Sequence, residues 1–263
     1  MGVLIFCIGL VFGSFLTAFT DRLHDGRDWV KSRSACDSCN KELEPRSLVP
    51  VVSWLVQKGR CLNCKKKISY RYPLIELTLG VLFLVSWLHW PYTFEGLDLV
   101  RFVLWLGTVV ILAAISIYDL RWLLIPNKLI YPLLAVWVIF TAVEAIFFDG
   151  GTLLVRDSVL GLLATGGLFY FIFQISAGKW IGGGDVKLGF LLGILAGGLF
   201  EGVFLIMLAS VVGLLITVPL MLAKKIAPRS QIPFGPILVL AGYGIYLFGE
   251  RLVSWYTEDV LYL

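Results

Sequence analysis

Histidine is nearly missing from this chain: of 263 residues only His24 and His89 carry an imidazole. The topology argued below puts the two on opposite membrane faces. A Ser–His or Cys–His nucleophile, or a histidine-ligated catalytic metal, would need a geometry at odds with that placement. Charge is scarce too, at 15% of residues against 59% hydrophobic ones. No soluble domain of this length hides so much apolar surface, and a mean hydropathy of +0.88 implies an all-α polytopic membrane protein. There is no glycine-rich phosphate loop, no G-x-S-x-G elbow and no H-E-x-x-H pair, so three common chemistries lack their residues. A net charge of +4 gives no reason to invoke nucleic acid. Residues 3–19 are apolar, lack a basic start and run straight into a polar stretch, so they read as a first anchor, not a cleavable signal.

Hydropathy marks about eight transmembrane helices, near 2–20, 72–90, 99–119, 128–148, 157–177, 186–200, 202–223 and 233–249. The sixth is short and glycine-rich and is expected to insert only partway. Trp87, Trp90, Tyr92, Trp122 and Trp255 fall near span ends, as interfacial aromatics do. Lysine and arginine set the orientation. With residues 21–71 inside, all but Arg101, Arg156 and Arg251 of the 22 basic residues lie on the cytoplasmic side. Both chain ends then face outward. The expected division is a first transmembrane helix (1–20), a small cytoplasmic module (21–71) and a membrane domain (72–263).

That module holds Cys36, Cys39, Cys61 and Cys64, spaced C-x2-C-x21-C-x2-C. Two such knuckles are the sequence form of a four-thiolate zinc site. Two disulfides are the competing pairing, and the surrounding basic charge, which marks cytosol, argues against them. Four thiolates complete a tetrahedral shell, so the zinc is expected to be structural. Cys7, alone in the first span, reads as a packing residue.

Two aspartates stand out. Asp119 ends the third span in Ile117-Tyr118-Asp119-Leu120-Arg121, and Asp185 opens the sixth in Gly182-Gly183-Gly184-Asp185-Val186-Lys187-Leu188. The topology puts both at cytoplasmic helix ends, where they can meet. A carboxylate costs ~2.5–3.5 kcal/mol if fully inserted and usually marks function. A pair of carboxylates can hydrolyse a peptide without a covalent intermediate. The ionised one takes a proton from water, and the protonated one donates to the scissile carbonyl and then to the leaving amine. The glycines before Asp185 let backbone come close to a substrate.

The chain resembles the type IV prepilin peptidases, which are bifunctional leader peptidases and N-methyltransferases. The matching stretches, in order, are Gly13-Ser14-Phe15-Leu16 with Arg22-Leu23, Arg33-Ser34-x-Cys36-x-x-Cys39, Ser53-Trp54 and Gly59-Arg60-Cys61-x-x-Cys64. They continue through Ile68-Ser69-x-Arg71-Tyr72-Pro73-Leu74-Ile75-Glu76, the two aspartate segments and Ile232-Pro233-Phe234-Gly235-Pro236. The resemblance implies an intramembrane aspartyl protease of the GxGD type in a bacterial inner membrane, with Asp119 and Asp185 catalytic. It implies type IV prepilins or pseudopilins as substrates, serving pilus assembly or protein secretion, cut after a glycine at the cytoplasmic face. It also implies that the new N-terminal residue is methylated by S-adenosylmethionine, an activity tied to the zinc module. Asp37, Thr17 and Asn127 depart from the family's usual proline, asparagine and aspartate.

Glu76, entering the second span beside Arg71, is the candidate for holding the new ammonium or the methyl donor; an Arg71–Glu76 ion pair is its plainer reading. Lys187 and Gly182–Gly184 are candidates for substrate contact, and the basic module for contact with anionic lipid. Asp185 lies at the N-terminus of its own helix and Asp119 at the C-terminus of its own. The dipoles, ~0.3–1 kcal/mol, make Asp185 the expected base and Asp119 the expected acid. Two other classes remain: a zinc-module methyltransferase without peptidase activity, and a carboxylate-based transporter. The second requires carboxylates at mid-membrane and related halves in the sequence.

Overall fold

The computed structural model describes residues 1–28, 33–36, 38–147, 151–224 and 232–260. Asp37 lies outside the described residues, as do Lys31, Lys225 and Arg229 of the basic residues that set the orientation. The chain runs through α1 (Gly2–Asp25), α2 (Val52–Val56), α3 (Arg71–Leu88), α4 (Gly96–Trp122) and α5 (Asn127–Phe147). It continues with α6 (Gly151–Leu162), α7 (Leu168–Ile175), α8 (Gly183–Ala196), α9 (Leu199–Leu222) and α10 (Gly235–Trp255). Among the described residues seven helices are long and apolar enough to cross a membrane: α1, α3, α4, α5, the Gly151–Ile175 run, α9, and α10 extended to Asp259. The remaining expected span is α8. Its 14 residues reach about 21 Å, less than the ~30 Å of a hydrocarbon core.

Two compact units divide inside α4, at residues 1–114 and 115–263. In the first, α1 and α3 lie antiparallel. From Gly2 to Gly13 along α1, the groups faced on α3 run back from Trp87 to Glu76. Glycine makes the approach possible. A Cβ on Gly9 would stand 2.7 Å from the Leu79 carbonyl oxygen, and one on Gly13 would stand 2.6 Å from Glu76 Cα. This is the close helix crossing that Gly-x-x-x-Gly spacing permits in a membrane. Leu79 and Phe83 face Gly9 across the seam, and both are buried, as is Leu16 of α1. The buried Trp105 indole of α4 donates to Ser86 Oγ of α3 at 3.0 Å. Trp87, Trp90, Phe94 and Phe102 cluster at the α3–α4 turn, where Arg101 lies over the Tyr92 ring.

In the second unit α8 is apolar on all sides below its first turn, the pattern of a helix surrounded by protein, and Leu188, Leu191, Leu192 and Leu195 are buried. Its neighbour is the Gly151–Ile175 run, which widens into a π-helical turn over Leu163–Gly167. There Thr165 is fully buried, and its one hydroxyl proton is shared between the carbonyls of Gly161 at 2.9 Å and Gly189 of α8 at 2.8 Å. Gly161, Gly166 and Gly193 have no room for a side chain against this contact. Gly197, at φ 75°, ends α8 in the left-handed conformation, and α9 begins two residues later.

These close approaches predict an asymmetry between two glycines. Gly13→Ala has backbone in its way and is expected to cost ~1–3 kcal/mol, read as a lower midpoint of thermal unfolding in detergent. Gly107→Ala meets nothing within 4 Å and is expected to leave the midpoint unchanged or raise it. Equal midpoints for the two variants would contradict the packing described.

Candidate active site

Asp119 occupies the last turn of α4, 6% exposed. A carboxylate at a helix C-terminus faces unpaired carbonyls and needs a donor from elsewhere. Gly235, first residue of α10, supplies it: its backbone N–H donates to Asp119 Oδ2 at 3.0 Å. Pro236 follows at the second helical position, where its missing N–H costs nothing and its fixed φ suits the turn. A Cβ on Gly235 would stand 2.7 Å from Asp119 Oδ2, so only glycine lets α10 begin so close to the carboxylate.

Asp185 is the third residue of α8, whose N-cap is Gly182. That is the position from which an acidic side chain reaches back to the N-cap N–H, and the Gly182 N–H is hydrogen-bonded to the Asp185 carboxylate. The two aspartates are near enough to repel each other electrostatically. The glycines serve this arrangement individually. A Cβ on Gly184 would lie 3.1 Å from the Ile125 side chain in the α4–α5 connection, and one on Gly182 would lie 3.2 Å from Asp185 Oδ2. Gly183 meets only the Phe173 ring, at 3.8 Å.

This geometry weakens the helix-dipole contrast between the two aspartates. The C-terminus of α4 disfavours a negative Asp119, but the N-terminus of α10 stands against the same carboxylate. Each aspartate is therefore held by a backbone N–H at the start of a helix, so the α10 dipole offsets that of α4 at Asp119 and narrows the difference between the two. The sequence reasoning used each aspartate's own helix and missed the donor helix, although the Pro233-Phe234-Gly235-Pro236 motif was visible.

Lys187, also on α8, donates to Asn127 Oδ1 at 2.8 Å and lies 5.5 Å from the centre of the Tyr131 ring. Among the described residues no ion pair joins it to either aspartate. Glu76 belongs to the other unit. Its carboxylate, 7% exposed, accepts the Val51 N–H at 2.6 Å. The alternative Arg71–Glu76 ion pair is not formed among the described residues.

The four cysteines come together. No disulfide joins Cys36, Cys39, Cys61 and Cys64, and their sulfurs all lie within 4.8 Å of one another, as four ligands of one metal ion would. Two matching knuckles present them. Each CxxC closes with a backbone bond to its first cysteine carbonyl, Asn40 N–H to Cys36 at 2.8 Å and Lys65 N–H to Cys61 at 3.0 Å. The donor residue has positive φ in both, 51° and 57°. Isolated bridges, Ala35 to Glu42 and Arg60 to Lys67, brace the two loops. Cys36 Sγ and Cys64 Sγ are 3.9 Å apart, close to the ~3.8 Å separation of ligands in a tetrahedral four-sulfur site with bonds of about 2.3 Å. Backbone N–H groups of Cys64 and Asn63 hold the Cys61 thiol down to about 6. A backbone N–H from Lys66 favours the Cys64 thiolate, but burial and the three facing thiols outweigh it and push that thiol up to about 11. The donor set thus fits a divalent metal, whose charge relieves the crowding of thiolates.

A carboxylate pair at helix ends in the second unit and a four-thiolate module in the first define the class, and comparison with known proteins places the chain within it. Residues 7–90 match the bacterial peptidase A24 N-terminal domain, and residues 106–218 match the type IV leader peptidase family. The prepilin leader peptidase/N-methyltransferase of Bacillus subtilis is 29% identical, covering 98% of both chains. That of Aeromonas salmonicida is 31% identical over 98% of this chain and 94% of the relative. That of Pseudomonas aeruginosa is 30% identical over 95% of this chain and 91% of the relative. The chain belongs to the type IV leader peptidase family. No solved structure matches it.

The cysteine geometry predicts that Cys61→Ser in the full-length protein lowers bound metal from about one ion per chain to below about 0.1. Elemental analysis of purified protein measures this. Unchanged metal content in Cys61→Ser and Cys36→Ser alike would show that the cluster is not the binding site.

Proposed function

We propose that this protein cleaves the leader peptide from type IV prepilins or pseudopilins and then N-methylates the new N-terminal residue with S-adenosylmethionine. The observation that carries the reading is the meeting of Asp119 and Asp185 at helix ends, each held by a backbone N–H, in a chain of this family. The pair shares one proton and titrates as a unit. Its ionised member removes a proton from water, and the water oxygen attacks the scissile carbonyl carbon. The protonated member donates to the carbonyl oxygen. As the tetrahedral species collapses, the C–N bond breaks and the leaving amine takes a proton from the dyad. Gly235 fixes one oxygen of Asp119 and leaves the other for water and substrate. Gly182–Gly184 and Lys187 are assigned to substrate contact, with Lys187 oriented by Asn127.

Zinc is the metal the four thiolates suit best, and its role here is structural. S-adenosylmethionine supplies the methyl group. Glu76 is assigned to hold the new ammonium or the methyl donor, with its Oε2 already engaged by Val51. The working division is the first transmembrane helix (1–20), the methyltransferase-associated module (21–71) and the peptidase domain (72–263). In a bacterial inner membrane the module and both aspartates face the cytoplasm and both termini face away from it. The proposed topology puts the end of α4 and the starts of α8 and α10 on one membrane face. The nearness of Asp119, Asp185 and Gly235 supports it.

The test is in vitro processing of a prepilin with a Gly–Phe junction, read by mass spectrometry with and without S-adenosylmethionine. Asp119→Asn and Asp185→Asn are each expected to lower cleavage by at least about 10³-fold while a pre-cut pilin is still methylated. Cleavage surviving in both variants would refute the dyad. Gly235→Ala displaces Asp119 and is expected to reduce kcat by about 10- to 100-fold with KM nearly unchanged. A rise in KM with kcat intact would assign Gly235 to substrate binding instead.

A further inference from the structure

The attachment of α2 to α3 leaves a surface whose chemistry points to a partner. Val51 is β-branched yet stands at φ 60°, ψ −51°, a region such residues avoid. The Val52 N–H donates to the Pro50 carbonyl at 2.6 Å across it, closing a γ-turn of the strained hand. The turn aims the Val51 N–H at the buried Glu76 carboxylate of α3. Strain of this kind persists only where the surroundings over-determine it, so α2 starts at a fixed height beside the first turns of a membrane-spanning helix.

Trp54 sets the rotation of α2. Its ring covers Gly59, and its indole N–H donates to the Ile68 carbonyl at 3.3 Å. With that face turned inward, Val52, Leu55 and Val56, spaced i, i+3 and i+4, are left 55%, 60% and 76% exposed. Beyond the C-terminus of α2 an open cavity of about 440 Å³ is lined by Gln57, Lys58, Arg60, Cys61, Leu62 and Lys65. It presents three cations and no carboxylate. On α3, Leu74 and Leu77 flank Glu76 and are exposed, as lipid-facing side chains of a membrane span are.

We infer that α2 is an interfacial helix, inserting Val52, Leu55 and Val56 into the cytoplasmic leaflet while Lys58, Arg60 and Lys65 bind the phosphates of anionic lipid headgroups. The apolar triad by itself suits several occupants; the cationic cavity beside it selects an anionic one. The bond to α3 puts both at the edge of the bilayer, where juxtamembrane cations meet acidic lipid. The second knuckle, which shares the cavity, is thereby held at a set depth.

The test compares hydrogen exchange across residues 47–60 of the full-length protein in two kinds of nanodisc. One is made of phosphatidylcholine alone, the other of phosphatidylcholine and phosphatidylglycerol in equal parts. Both faces of a disc carry the same lipid, so the result does not depend on the orientation proposed above. Exchange is expected to slow by about tenfold in the anionic discs, to recover at high salt, and to stay fast in the triple variant Lys58→Gln, Arg60→Gln, Lys65→Gln. Equal metal content in wild type and variant shows that the module is still folded. A photoreactive phenylalanine analogue at position 56 of the otherwise wild-type chain gives a readout independent of that variant. Adducts on lipid support the assignment. Equal exchange in the two discs, or crosslinks to protein alone, overturns it and leaves a protein partner for this face.

Discussion

Asp119 depends on a backbone N–H that belongs to a residue 116 positions further along the chain. A carboxylate buried at the C-terminal end of a membrane helix meets carbonyl oxygens on its own helix and little water beside it, so its charge must be compensated from outside. The start of α10 is the source, and the rest of unit 2 follows from bringing that start into place. Gly235 must be glycine because any Cβ would press on the carboxylate. Asp185 solves the same problem locally, by standing where its own N-cap N–H can reach it. Two carboxylates of like charge, near enough to act on each other, thus each have a backbone donor of their own.

Close backbone approach is the means by which both units pack. Lipid offers no hydrophobic drive between helices, so association relies on contact area and short polar bonds. In unit 1 that contact is the Gly9–Gly13 seam against α3. In unit 2 it is Thr165, bonding into α8 through a π-helical turn. Such turns recur at functional sites, and this one lies against the helix that presents Asp185. Because α8 is too short to span a bilayer and is buried by neighbours, its first turn is set by packing and not by lipid.

The cysteine module is integral to unit 1, not appended to it. Arg22 near the end of α1 reaches Ser34 Oγ at 3.5 Å, and Glu76 of α3 takes the Val51 N–H. A buried arginine and a buried glutamate, both costly to desolvate, are thus engaged by module residues.

Composition, charge asymmetry and spacing were enough to read a polytopic helical membrane protein, a four-thiolate module and two aspartates of interest. These are local or summed properties: hydropathy adds along a span, and CxxC places two sulfurs on one short turn. The approximate span boundaries and the shortness of α8 were legible for the same reason. What lay beyond reach were pairings between distant residues. An ion pair with Arg71, five positions away, was the plainer alternative for Glu76, yet its donor is the backbone of a strained turn in the module. Dipole reasoning along single helices separated the two aspartates, and it did not include the first turn of α10, which gives Asp119 a donor of its own. Backbone donors carry no side-chain signature, so no residue type announces which N–H will meet which carboxylate. That choice is made only when the helices pack, by which of them approach closely enough for an N–H to reach.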